Sequence, residues 1–146
     1  MRRSSTRWNR RRTAPLSAVL AAALALLLPA ACTGGPDRTA EADGLTVGVK
    51  THPSPAELGE QEFVFQVEAD GRPVSDATVA FRMFMPGMPM STDDVWHPAS
   101  PTGKGRYAGR GDFSMGGSWI VSVSVGRPDR EPVGVRFPFE IKWELK

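Results

Sequence analysis

A chain of 146 residues with one cysteine and a formal charge of +2 has room for one ordinary domain and no internal disulfide. The basic balance belongs to the leader: residues 1–31 hold six arginines and no acid, leaving 12 basic against 16 acidic side chains from Cys32 onward, a formal −4. That charge excludes a bulk electrostatic case for nucleic-acid binding.

The first element is an export signal over residues 1–31. MRRSSTRWNRRR is positive, LSAVLAAALALLLPAA is apolar, and small residues precede Cys32. The apolar core is short of the roughly 20 residues that a spanning helix needs. Pro29-Ala30-Ala31-Cys32 resembles a bacterial lipobox, with Pro29 standing where that motif usually has leucine. Acylation gives the lone thiol of Cys32 a use, so the expected product is a lipid-anchored protein on the extracytoplasmic side of the cell membrane. Arg10-Arg11-Arg12 hints at twin-arginine export, but the TAPL that follows matches that pattern poorly. TGGPDRTAEADG, with Cys32 the stretch 32–44, has no large apolar residue and reads as a flexible tether.

From Leu45 the apolar residues fall in period two, the strand signature. LTVGVK aligns Leu45, Val47 and Val49; EFVFQVEA aligns Phe63, Phe65 and Val67; ATVAFRMFM aligns Val79, Phe81, Met83 and Met85. SWIVSVSVG aligns Trp119, Val121, Val123 and Val125. VRFPFEIKWEL aligns Val135, Phe137, Phe139, Ile141, Trp143 and Leu145, with Pro138 among the outward positions of an edge or bulged strand. Weaker strands are expected around 94–97 and 105–109, about seven in all. Turn signals recur between them, at Asp70-Gly71, Pro86-Gly87, Gly103-Lys104-Gly105 and Pro128-Asp129. One-sided alternation with frequent turns predicts an all-β domain over 45–146, two antiparallel sheets packed face to face.

Four of six methionines lie between 83 and 90: Met83, Met85, Met88 and Met90. Thioethers are soft, uncharged donors suited to Cu(I). Pro86-Gly87 turns the chain so that Met88 and Met90 return toward Met83 and Met85. His97 adds an imidazole, Met115 another sulfur, and Trp96 an indole face for a cation. Met83 and Met85 equally continue the apolar face of Val79 and Phe81, and methionine fills irregular core gaps. Both readings stand at this level, with Met88, Met90, His97 and Met115 the stronger ligand candidates.

Across 78–125 the order is a strand, MPGMPM, a P-x-G-x-G-x-Y turn from Pro101 to Tyr107, then FSMGGSWIVSVSV with Met115, Gly117 and Trp119. This resembles the YtkA-like domain, related to FixH-like proteins. The resemblance implies an immunoglobulin-like sandwich on bacterial envelope proteins; FixH-like members are linked to assembly of copper-containing terminal oxidases. Few histidines near the loop argue against Cu(II). The expected partners are the bilayer through Cys32 and a copper or envelope protein. The alternative is a metal-free interaction or scaffolding module.

Other features are weaker. Arg110-Gly111-Asp112 spells an adhesion tripeptide, with Gly111 suited to a turn. GKGRYAG lacks phosphate-loop spacing. His52 sits in a proline turn, and Asp93-Asp94 offers too few oxygens for calcium. No nucleophile–base arrangement occurs, so no enzyme activity is expected.

Overall fold

Alternation becomes pairing in a computed structural model that describes residues 34–88 and 95–143. Nine strands form among the described residues: β1 Arg38–Ala42, β2 Leu45–His52, β3 Gly59–Ala69, β4 Arg72–Pro73, β5 Thr78–Phe84, β6 His97–Gly103, β7 Arg106–Phe113, β8 Gly117–Gly126 and β9 Val133–Ile141. All pairings are antiparallel, in the order β1-β2-β3-β7-β6-β5-β8-β9, with β4 on β3. β6 changes sheets along its length: His97–Ala99 pairs with β5, and Ser100–Gly103 pairs with β7 across a bulge. The result is a nearly closed antiparallel sandwich.

The inward positions are those the period marks. β9 alternates buried and exposed from Val133 to Ile141 without a break. Phe63 on β3 meets Phe81 on β5 at 5.1 Å and Phe139 on β9 edge-on at 6.3 Å, so the two sheets interdigitate through aromatic rings. Phe113 packs against Trp119 at 5.4 Å. β1 and β9 close the remaining gap by a side chain: Arg38 lies 4.5 Å over the Phe139 ring and donates to the Pro138 carbonyl. A strand residue's N–H and C=O point the same way. The missing N–H of Pro138 therefore faces this open edge and not the β8 ladder.

Several expectations change. The tether over 32–44 is structured in part: Arg38–Ala42 pairs with β2, from Arg38↔Val49 to Ala42↔Leu45. Asp37 reinforces the entry, its carboxylate accepting from the Thr51 N–H at 3.1 Å and the Ser54 hydroxyl at 2.9 Å. Together with the two-residue β4, this strand raises the count from about seven to nine. The strand expected at 94–97 runs instead from His97 to Gly103. The one at 105–109 continues through Arg110-Gly111-Asp112 to Phe113, so the tripeptide lies in β7 and not in a turn. β9 stops at Ile141, leaving Trp143 exposed beyond it; Leu145 lies outside the described residues. No helix among the described residues is long and apolar enough to cross a membrane.

Candidate functional site

β5 carries the methionine stretch to one end of the sandwich, and the core boundary falls within it. Met83 is 1% exposed. Its sulfur reaches β7 at Gly111, whose absent Cβ would also meet Phe63 at 3.2 Å and Phe81 at 3.3 Å. Gly109, two residues back, makes room for the Phe81 ring in the same way: a Cβ there would stand 2.6 Å from it. Inward glycines on β7 thus admit bulky side chains from β5, and the Met83 thioether sits among aromatic rings in the core.

Met85 lies one turn of the pleat further out, half-buried. Met85-Pro86-Gly87-Met88 is a turn with proline second and Gly87 at φ 87° third, closed by the Met88 N–H donating to the Met85 carbonyl at 3.2 Å. Met88 is thereby folded back at the rim, 51% exposed. The Met85 methyl lies over Gly117, where a Cβ would be 2.7 Å away. Gly117 is at φ 131° and two residues past the half-buried Met115. The Trp119 indole N–H donates to the Met115 carbonyl at 2.9 Å, which pins that loop. Met85, Met88 and Met115 therefore share this end, outside the sealed core. Met90 lies outside the described residues, as do Asp93, Asp94 and Cys32.

His97 is placed elsewhere. It pairs with Phe81, and the two rings are 5.4 Å apart. Met85, just past the end of β5, is four residues from Phe81, about 13 Å of extended chain, so the imidazole stands deeper than the rim methionines. Trp96 does offer its face to a cation, but the cation is the protein's own: the Arg82 guanidinium lies 5.2 Å from Trp96 and 5.3 Å from Phe84. No three His, Cys, Asp or Glu side chains among the described residues could hold a metal together. The donor set at this end is soft.

Sequence reasoning missed Gln61. It is inward on β3, 1% exposed and paired opposite Gly111. Its amide N–H groups donate to the Glu57 and Glu60 carbonyls, each at 3.1 Å. Its oxygen accepts from no group among the described residues, nor does the Thr51 hydroxyl. A glutamine within an otherwise apolar alternation was the available signal.

The remaining motif residues build structure. Tyr107 is buried; its hydroxyl donates to the Val74 carbonyl at 2.8 Å and accepts from the Ala77 N–H at 3.0 Å. Arg110 faces outward and pairs with Glu60 at 3.2 Å, both well exposed, a contact of little energetic weight. On the outer face of β2, β3 and β7 lies an open groove of about 480 Å³, bordered by Gly34, Lys50, His52, Glu62, Gln66 and Arg106. It is remote from the methionines.

A family model described as YtkA-like matches residues 39–124, from β1 into β8. None of the curated proteins matches the sequence. Among solved structures, a DUF4426 family protein from Pseudomonas aeruginosa PAO1 is similar at 12% identity and a TM-score of 0.51, covering 72% of this chain and 96% of its own. The soluble domain of PmoD from Methylocystis sp. ATCC 49242 (Rockwell) is similar at 16% identity and a TM-score of 0.48, covering 71% and 96%. At these identities the first likeness speaks to the fold alone, and the second carries no argument.

Proposed function

Because this chain belongs to the YtkA-like family, we propose that it is a lipid-anchored envelope protein that binds Cu(I) as cargo at its methionine end and passes it on. The observation that supports the metal reading is the collection of Met85, Met88 and Met115 at one end, outside the core that takes Met83. Thioethers bind without losing a proton and favour soft cations. Half-buried sulfurs behind an exposed one let a soft ion be exchanged with a partner's ligands. Met90, from the same loop, completes the candidate set. Met83 and His97 stand apart from it.

The anchor is acylated Cys32, which places the domain on the extracytoplasmic side of the membrane. Intact mass of the mature protein tests it: absence of the diacylglyceryl mass removes the anchor. Cu(I) titration of the mature protein against a competing chelator tests the cargo, and no stoichiometric uptake removes it.

A metal-free module contacting another envelope protein is the second reading, favoured by the exposed Met88 and Trp143 at the same end. Replacing Met88 and Met90 with leucine preserves size and apolarity. It abolishes uptake if the end holds copper, and leaves partner contact nearly intact if the end is only a surface.

A further inference from the structure

The groove on the outer face of β2, β3 and β7 is built around two cations, Lys50 and Arg106. Lys50, Val64 and Ala108 stand opposite one another across the three strands, and Arg106 lies two residues along β7 from Ala108. Strand spacing puts the Lys50 and Arg106 backbones about 12 Å apart, with Val64 and Ala108 as an apolar floor between them. Gly34-Gly35-Pro36 forms the wall beside β2: Pro36 packs on Gly48, and the Lys50 ammonium donates to the Gly34 carbonyl at 3.0 Å. On the far side the Arg106 Nε–H donates to the Gln66 side-chain oxygen at 3.1 Å, and the Gln66 amide donates to the Lys104 carbonyl at 3.1 Å. These bonds orient both side chains and leave the other ammonium N–H groups and the terminal guanidinium nitrogens for a ligand. Neither cation has a carboxylate partner among the described residues. Glu62, the acid on the border, stands opposite Arg110.

The chain's own path indicates what meets this groove. From Cys32 to Gly34 is two residues, a reach of at most about 7 Å. The headgroup layer on each side of a bilayer is itself about 5–8 Å deep. Acylation at Cys32 therefore holds Gly34, and the groove it borders, at the level of the lipid phosphates; this step rests on the anchor proposed above. The leash ties down this part of the sandwich and not the methionine end. From Val64, on the groove floor, β3 runs five residues back to its start at Gly59, about 17 Å of strand.

We infer that the groove takes the phosphate of an anionic phospholipid headgroup, held between Lys50 and Arg106 over Val64 and Ala108. Charge-assisted hydrogen bonds from an ammonium and a guanidinium suit phosphate oxygens. From Cys32 onward the formal charge is −4, so a general attraction to an anionic surface is absent and the contact is confined to this groove. The anchor supplies the high local concentration that one weak contact needs. The arrangement turns the outer face of β2, β3 and β7 toward the bilayer and leaves the methionine end free for a partner protein.

The test uses the full chain, processed in a bacterial host, labelled at its valine and alanine methyls, and placed with bilayer discs of phosphatidylcholine containing increasing phosphatidylglycerol. Intact mass reports acylation independently. Phosphatidylglycerol is expected to shift the methyl resonances of Val64 and Ala108 and to leave that of Ala80, an outward residue of β5. Lys50→Gln and Arg106→Gln are each expected to weaken the response about fivefold, the worth of one cation at an anionic surface. An acylated chain whose Val64 and Ala108 signals ignore phosphatidylglycerol overturns the inference and leaves the anchor standing. A chain without the acyl mass that still shows the shift supports the inference and removes the anchor; one that shows neither overturns both. A shift unchanged in both variants also overturns it. So does a shift produced by inorganic phosphate in phosphatidylcholine discs and not by phosphatidylglycerol, which names a soluble anion as the occupant instead.

Discussion

Met83 and Gly111 are complementary: the sulfur from β5 occupies the space that a Cβ on β7 would need. The backbone at Gly111 is ordinary strand, so alanine there is strained by contact and not by conformation. Removing a strand glycine gains about 0.5–1 kcal/mol, and overpacking a dense core costs about 1–3 kcal/mol. Gly111→Ala is therefore expected to lose stability by about 1–2 kcal/mol, read as a lower urea midpoint with an unchanged slope. Met83→Leu, which conserves volume, should cost less than about 1.5 kcal/mol.

Tyr107→Phe removes a hydroxyl that serves two backbone groups at once, the Val74 carbonyl and the Ala77 N–H. Both then lose a partner next to the core. The expected loss is about 1–3 kcal/mol, with faster hydrogen exchange at the Ala77 amide. An unchanged exchange rate there would show that water replaces the hydroxyl at no cost.

Arg38→Ala opens the seam between β1 and β9, where the guanidinium covers Phe139 and bonds the Pro138 carbonyl. A loss of about 1 kcal/mol is expected. Hydrogen exchange should localise it to the amides of β1 and β9, with β3 and β7 unaffected.

For copper, position relative to the core decides the outcome. Met88→Leu and Met115→Leu are each expected to weaken Cu(I) binding at least about tenfold, the scale of disturbing a ligand's support, in competition against a chromogenic chelator. Met83→Leu and His97→Asn should leave the affinity unchanged, because one sulfur is sealed among Phe63 and Phe81 and the imidazole sits at the level of Phe81. A loss in Met83→Leu equal to that in Met88→Leu would sink this division.

The strands were legible where residue contrast is large. Val133 to Ile141 alternates bulky apolar with polar or proline side chains, and that period survives any neighbour. β1 was not legible because its inward positions carry only Ala40 and Ala42, too small to stand out from a linker. The Arg110-Gly111-Asp112 stretch reads as a turn because glycine is locally permissive. Its true reason is Met83, 28 positions away in the chain.

What the sequence by itself determined is the all-β class, the face each strand buries, and the placing of Met83 and Met85 on one side of β5. These follow from the pleat, a local steric property of the backbone with period two. Tertiary structure alone decided that the core ends between those two methionines, that His97 lies level with Phe81, and that Met85, Met88 and Met115 share one end. Depth and register come from cross-strand pairing between residues far apart in the chain, and no local pattern encodes which partner a strand will meet.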